Sequence, residues 1–113
     1  MSENTNIIDV TEAEFNDQVI EASERKLIVV DFWAPWCGPC RMLSPIMESL
    51  ENDFKDTAVV GKVNVDEENQ LASQFSIRAI PTVIIFKDGV EIERMSGMNS
   101  QSAYSDKINY YLN

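Results

Sequence analysis

One apolar segment, Leu27–Trp33, limits the folds that are open to this chain. It reads Leu-Ile-Val-Val-Asp-Phe-Trp, and Asp31 is its one charged member. A strand with one exposed face alternates apolar and polar side chains, whereas a continuous apolar run is typical of a strand covered on both faces. The segment therefore predicts the central strand of a sheet that lies between two layers of helices.

The segments around this strand predict the remaining elements. Thr11 and Glu14 have the spacing of a capping box, which predicts a first helix from Thr11. Further strands are expected at residues 7–10, 58–65, 82–86 and 90–95, and further helices from the cysteines to residue 54, at 67–75 and after residue 99 or 100. The order β-α-β-α-β-α-β-β-α predicts an α/β fold with a central mixed five-stranded sheet flanked by four helices.

The whole chain, residues 1–113, is expected to form a single domain. A chain of 113 residues, 44% of them hydrophobic, can bury one core without disulfide or metal support. Residues 1–6 have neither the basic nor the apolar stretch of an export signal, so we expect a cytoplasmic protein.

The charge of the chain bears on its partners. Nineteen acidic and nine basic side chains give a formal net charge of −10. Nucleic acids and anionic membranes are themselves polyanions and would be repelled, and no apolar run approaches membrane-spanning length. We therefore expect a protein that binds neither nucleic acid nor membrane. We also expect it to be a monomer.

The two cysteines, Cys37 and Cys40, lie three positions apart. A structural disulfide gains most by closing a long loop, and a bridge between these two closes almost none. Zinc needs about four ligands, yet the chain has no third cysteine and no histidine. Redox chemistry is thus the favoured interpretation, no metal is expected, and a structural disulfide or a zinc site shared with other ligands is the minority alternative.

The cysteines also coincide with the start of a predicted helix, whose first turn Pro39 suits. Unpaired amides and the helix dipole would stabilise the thiolate of Cys37 there, which makes Cys37 the expected nucleophile. Cys40, one turn further in, is expected to be more buried and to resolve the mixed disulfide.

Residues 30–41, Val-Asp-Phe-Trp-Ala-Pro-Trp-Cys-Gly-Pro-Cys-Arg, and residues 80–82, Ile-Pro-Thr, closely resemble the thioredoxin family. The resemblance continues through Pro45, Asp66, the turn at 86–89 and Gly97, and so covers nearly the whole chain.

The family resemblance implies a thioredoxin fold and a general protein-disulfide reductase that maintains cell redox homeostasis. It implies no directly bound cofactor, because electrons would come from NADPH through thioredoxin reductase. It also implies ribonucleotide reductase, peroxiredoxin and methionine sulfoxide reductase as kinds of client.

A carboxylate in a buried strand is costly, and burial should raise its pKa. From the pattern alone, Asp31 is either buried or solvated at a strand end. The resemblance implies that Asp31 is buried and carries the Cys40 proton. It further implies that Lys62 lies nearby and tunes this titration, the alternative being an ordinary exposed lysine.

The second matching segment, Ile80-Pro81, concerns docking. Only about one X-Pro bond in twenty is cis, so the sequence alone predicts trans. The resemblance implies a cis proline that packs against the disulfide and leaves the Ile80 backbone free to pair with an extended client segment. Gly97 would let a partner approach closely, and Met98 stands where the family often has a small residue.

The remaining site residues are expected to support or tune the thiolate. Trp36 should be partly exposed as part of the docking surface, and Trp33 should pack under the site near Asp66. The resemblance assigns supporting roles to Gly38, Pro39 and Arg41 as well, with Arg41 favouring the Cys37 thiolate.

Two other functions remain open. An oxidant or isomerase domain would share the fold, although Gly38-Pro39 lacks the histidine that stabilises the thiolate in strong oxidants. A redox-independent interaction subunit would use the fold as a scaffold without the chemistry.

Overall fold

The structure, a computed structural model, describes residues 6–113. Its strands β1 to β5 span Ile8–Asp9, Leu27–Trp33, Ala58–Asn64, Thr82–Lys87 and Val90–Ser96. Helix α1 is a π-helical segment, Asn16–Glu21, that continues into a 3-10 turn, Ala22–Glu24, while α2, α3 and α4 span Gly38–Asp53, Asn69–Gln74 and Gln101–Leu112. The predicted element order is confirmed. The expectations about an export signal and about a domain starting at residue 1 fall in part on positions 1–5, which lie outside the described residues.

The five strands form one mixed sheet in the order β1-β3-β2-β4-β5. β2 is central, parallel to β3 and antiparallel to β4, and only its last residue is not fully buried. Asp31 of β2 is aligned with Lys62 of β3 on one side and with Val83 of β4 on the other. This mixed sheet with its four helices confirms the predicted fold class.

Alternation along β2 divides the core between the two faces of the sheet. Leu27 and Val29 pack on the side of α2 and α4, whereas Ile28, Val30 and Phe32 pack on the side of α1. By the same alternation, Asp31 lies on the α2 side. The charged residue of the central strand therefore faces the helix that begins at the cysteines.

Four phenylalanines pack on the α1 side of the sheet, the face opposite to Asp31. The ring centroids of Phe15, Phe32, Phe75 and Phe86 lie between 5.3 and 6.0 Å apart in tilted or edge-on pairs. Such geometries are favoured by the ring quadrupole. This aromatic cluster joins α1 and the end of α3 to the sheet.

The predicted start of the first helix at Thr11 is wrong. The Thr11 hydroxyl lies 3.5 Å from the Glu14 carboxylate and caps no backbone N–H, and the π-helical segment begins only at residue 16. Bonds to α3 hold this segment instead. The Glu12 N–H donates to the Glu68 carboxylate at 2.9 Å, and the Gln70 N–H donates to the Glu12 carboxylate at 3.0 Å.

An Asp-Gly pair between two strands predicts a tight hairpin turn, and the hairpin between β4 and β5 does turn at Asp88-Gly89. Both residues have positive φ, 53° and 84°, which a type I′ turn requires. The turn is bound to the end of α1, because the Ser23 hydroxyl accepts from the Gly89 N–H at 2.8 Å and the Ser23 carbonyl accepts from the Asp88 N–H at 2.9 Å.

Helix α4 begins at its predicted cap. The Ser100 hydroxyl accepts from the Ala103 N–H at 3.2 Å. The four-residue spacing of Tyr104, Ile108 and Leu112 predicts that all three face the core. Tyr104 and Ile108 are buried, but Leu112 is 37% exposed and lines a surface pocket at the last turn.

Candidate active site

A disulfide joins Cys37 and Cys40 at the start of α2. Cys37 is the helix N-cap with an extended backbone, and its sulfur accepts from the Cys40 N–H at 3.2 Å. Gly38 opens the helix, and Pro39 follows where a missing N–H costs nothing. The Cα atoms of the two cysteines are 5.2 Å apart, within the usual span of a disulfide.

Burial separates the two sulfurs less than the sequence led us to expect. In the disulfide Cys37 is 5% exposed and Cys40 is 3% exposed. Position separates them instead. The Cys37 sulfur lies at the helix N-terminus, where amides and the helix dipole stabilise negative charge, and Cys40 lies one turn further in.

Arg41 braces the start of the same helix. Its guanidinium donates to the Pro35 carbonyl at 2.9 Å, and its backbone N–H donates to the Cys37 carbonyl at 3.2 Å. These two bonds tie the first turn of α2 to the loop that precedes Cys37.

Asp31 is buried, which excludes the solvated strand end. It is 1% exposed, and neither carboxylate oxygen has a hydrogen-bond partner among residues 6–113. Burial raises the pKa of Asp31 from 3.8 to about 7, although the positive charge of Lys62 opposes part of that rise. This carboxyl group can therefore hold or release a proton near neutral pH.

Lys62 is half-buried beside this carboxyl rather than an ordinary surface lysine. It lies on the same face of the sheet as Asp31, and its ammonium is 4.3 Å from the centroid of the Trp33 ring. A cation at this distance is attracted by the face of an indole. The Trp33 Nε1 is buried without a partner in the described part of the chain.

Asp66 binds Trp36, a contact that the sequence did not predict, while Trp33 lies next to the same turn, since its carbonyl accepts from the Val65 N–H at 2.9 Å. The Trp36 Nε1–H donates to the Asp66 carboxylate at 2.9 Å. The Asp66 N–H is itself bound by the Asn64 side chain at 2.9 Å, which fixes the turn from which the carboxylate reaches Trp36. Trp36 remains 66% exposed, as expected of a docking residue.

An open groove of about 300 Å³ runs beside this tryptophan. Trp36 and Ile80 line it together with the apolar residues Val65 and Ile77 and the exposed Arg78. The groove adjoins the disulfide, since Val65 and Ile80 also pack against the two cysteines.

The Ile80-Pro81 bond is cis, as the family resemblance implied. The Ile80 carbonyl oxygen lies 3.9 Å from the Cys37 sulfur. Because a disulfide sulfur carries no proton, this contact is not a hydrogen bond. β4 begins only at Thr82, and no hydrogen bond among residues 6–113 occupies the Ile80 N–H. One backbone edge beside the disulfide is therefore unpaired.

Gly97 is bound to the backbone of the cis proline, and Met98 follows it in the chain. The Gly97 N–H donates to the Pro81 carbonyl at 2.8 Å, and Gly97 has a φ of 77°. A Cβ at this position would meet no atom within 4 Å, so the space in front of the glycine is open. Met98 is 40% exposed next to it.

Sequence reasoning missed one polar contact of this loop. Tyr104 was expected only as a core residue of α4, yet its hydroxyl accepts from the Asn99 N–H at 3.1 Å. No local pattern distinguishes such a tyrosine from one that only fills a core.

Among residues 6–113, no three or more aspartate, glutamate or cysteine side chains converge in a way that could hold a metal ion. In the same part of the chain, every helix is too short or too polar to cross a bilayer.

The known proteins that this chain resembles all belong to one family. A model of the thioredoxin family matches residues 6–110. The chain is 42% identical over 103 residues to thioredoxin 1 of Synechococcus elongatus, covering 91% of this chain and 94% of that protein. It is 38% identical over 104 residues to a thioredoxin of Chlorobaculum thiosulfatiphilum, covering 92% and 94%. It is also 38% identical over 104 residues to the M-type chloroplastic thioredoxin of Spinacia oleracea, covering 92% of this chain and 56% of that one.

Proposed function

Because this chain belongs to the thioredoxin family of protein-disulfide reductases, we propose that Cys37 is its attacking nucleophile and Cys40 its resolving thiol. The observation that carries this assignment is the Cys37 sulfur at the N-cap of α2, where it accepts the Cys40 N–H. The same helix end would stabilise a thiolate in the reduced protein, so Cys37 is the sulfur that is ready to attack.

Docking comes first. An extended client segment pairs with the free backbone edge at Ile80 and lies between Trp36 on one side and Gly97 and Met98 on the other. Backbone pairing is indifferent to most client side chains, which suits a reductase of many proteins. The unoccupied Ile80 N–H and the open space at Gly97 support this path.

The first chemical step is attack by the Cys37 thiolate on one sulfur of the client disulfide. A bond forms between Cys37 and that sulfur, the client disulfide breaks, and the second client sulfur leaves as a thiolate. The client is then held covalently in a mixed disulfide.

The second step releases the client. Cys40 loses its proton to Asp31 and attacks the Cys37 sulfur, which forms the Cys37–Cys40 disulfide and expels the client sulfur as a thiolate. Two electrons have passed from the dithiol to the client. A carboxyl group with a pKa of about 7 suits this transfer, and Lys62 helps to set that value.

The remaining site residues orient this chemistry. Trp33 packs under Lys62, Trp36 is held by Asp66, and Arg41 braces the loop before Cys37. Gly38 and Pro39 form the short first turn that brings the two sulfurs within bonding reach.

Reduction of the Cys37–Cys40 disulfide would return the protein to its active form. We assign this step to thioredoxin reductase, so that NADPH is used by the reductase and no cofactor binds this chain. In this role the protein supplies electrons to reductive enzymes such as ribonucleotide reductase, peroxiredoxin and methionine sulfoxide reductase, as a monomer in the cytoplasm.

The test is NADPH oxidation coupled to insulin reduction in the presence of a thioredoxin reductase. Cys37→Ser should lower the rate at least about a thousandfold, because no other thiol can attack from the helix end. Cys40→Ser is the matched variant: it should also fail to turn over, but should accumulate the mixed disulfide, visible as a covalent adduct by mass spectrometry. An adduct that forms through Cys40 in the Cys37→Ser protein would reverse the assignment.

A further inference from the structure

We propose that Tyr104 is a positioning residue for client docking, whose hydroxyl holds the backbone on both sides of Met98 and so presents Met98 beside the disulfide. This inference rests on the proposed function, in which Gly97 and Met98 belong to the docking surface.

The hydroxyl is placed to bind both neighbours of Met98. Tyr104 is 1% exposed, and its ring packs in the core between α4 and the sheet. Its oxygen accepts from the Asn99 N–H at 3.1 Å and lies 3.4 Å from the Gly97 carbonyl, to which it donates. One buried hydroxyl therefore fixes the residue before Met98 and the residue after it.

Other bonds complete the attachment of this loop. The Gly97 N–H donates to the Pro81 carbonyl at 2.8 Å, and the Asn99 side chain donates to the Gly97 carbonyl at 3.2 Å. The first bond ties the loop to the docking edge, and the Tyr104 hydroxyl ties it to α4. Met98 lies between these anchors and keeps 40% of its surface exposed.

Packing alone does not require the hydroxyl. A phenylalanine at 104 would fill the same space in the core, but it would leave the Asn99 N–H without its partner. The flexible Met98 side chain can adapt to different clients only if its backbone stays in place at the edge of the site. The hydroxyl supplies that fixed backbone.

The test compares Tyr104→Phe with wild type over a series of insulin concentrations and, separately, with the small substrate hydroxyethyl disulfide. The variant loses the hydroxyl's bonds to both Asn99 and Gly97, and the KM for insulin should rise at least about fivefold, the net effect expected of one hydrogen bond. The kcat and the rate with the small disulfide should not change, because Cys37 and Cys40 are untouched. Tyr110→Phe is the matched control. Tyr110 lies on the same helix, is 72% exposed, and its hydroxyl has no hydrogen-bond partner among residues 6–113.

A double-mutant cycle with Met98→Ala identifies the route of the effect. If Tyr104 acts through Met98, the double variant should have the same KM as Met98→Ala alone. An additive loss, or an unchanged KM in Tyr104→Phe, would overturn this inference and leave the disulfide reductase intact. Failure of the wild-type protein to reduce insulin would instead overturn the proposed function.

A measurement on the wild-type protein guards against a variant that does not fold. The Asn99 amide should exchange its hydrogen slowly in wild type, and at least about tenfold faster in a folded Tyr104→Phe. An Asn99 amide that exchanges in wild type as fast as an unbonded loop amide would contradict the proposal without reference to any variant.

Discussion

The two ends of the central sheet differ in whether their buried polar groups are hydrogen-bonded. At the disulfide end, both carboxylate oxygens of Asp31 and the Nε1 of Trp33 are buried without partners among the described residues. At the far end, the Ser23 hydroxyl donates to the Ile20 carbonyl at 2.6 Å and accepts from the Gly89 N–H. Most buried polar groups in proteins are satisfied in the second way.

The difference shows where the fold buries a polar group that has no partner among the described residues. An unpaired buried carboxyl destabilises a fold, and the one at Asp31 lies on the side of the sheet that faces α2 and the cysteines. A satisfied serine at the hairpin turn contributes only to the scaffold. Removing the charge of Asp31 and removing the hydroxyl of Ser23 should therefore have opposite effects on stability.

The largest expected effect is at Asp31. Between pH 3.8 and about 7 the folded protein keeps a proton that the unfolded chain has released, so stability falls as the pH rises through this window and levels off above it. At about 1.4 kcal/mol for each pH unit, the charged carboxylate costs up to about 4 kcal/mol. Asp31→Asn should recover most of this above pH 7, and its unfolding curve in urea should converge on that of wild type toward acid pH.

Exposed Asp106→Asn is the control for this change, and it should alter neither the stability nor its pH dependence by more than about 0.5 kcal/mol. The same Asp31→Asn variant should release client more slowly at neutral pH, measured as the decay of a preformed mixed disulfide. A gain in stability that does not vary with pH would show that ionisation of Asp31 is not its cause.

The opposite sign is expected at Ser23. Ser23→Ala leaves the Gly89 N–H without an acceptor, which should destabilise the protein by about 2 kcal/mol in urea unfolding. Insulin reduction should be unchanged, because this turn lies at the other end of the sheet. Exposed Ser73→Ala in α3 should stay within about 0.5 kcal/mol of wild type. A stable Ser23→Ala protein would remove the contrast between the two ends.

The sequence predicted the disulfide end well where the signal is local. The apolar run predicted β2, and Pro39 beside the cysteines predicted the helix start, because strand burial and the first turn of a helix leave clear local patterns. The burial of Asp31 was left open by the pattern and was implied only by the family resemblance. The cis form of Ile80-Pro81 came from the family resemblance, since the local preference for trans points the other way.

Contacts between distant segments could not be predicted. The bond between Trp36 and Asp66 depends on the turn after β3, and the absence of a cap at Thr11 depends on the bonds between Glu12 and α3. Each of these two features depends on which distant segments come into contact in the folded chain. The sequence pattern within one segment does not predict such tertiary contacts.

The smallest expected effect on stability is that of replacing a glycine with positive φ by alanine, and there is one such glycine at each end of the sheet. Gly97 has a φ of 77° and Gly89 has a φ of 84°. A Cβ added at Gly97 would meet no atom within 4 Å, and a Cβ added at Gly89 would meet only a methyl group of Ile20, at 3.9 Å. Alanine at either position should cost about 1 kcal/mol in urea unfolding, because the left-handed backbone is strained for any residue with a Cβ.

The two variants should have similar stability, but they should differ in the rate at which they reduce insulin. In Gly97→Ala the added methyl group occupies the open space beside the disulfide, so the rate of insulin reduction should fall, whereas hydroxyethyl disulfide should react as in wild type. Gly89→Ala should reduce both substrates at the wild-type rate. Equal loss of insulin reduction in both variants would mean that backbone strain alone causes it, and that clients do not approach the protein at Gly97.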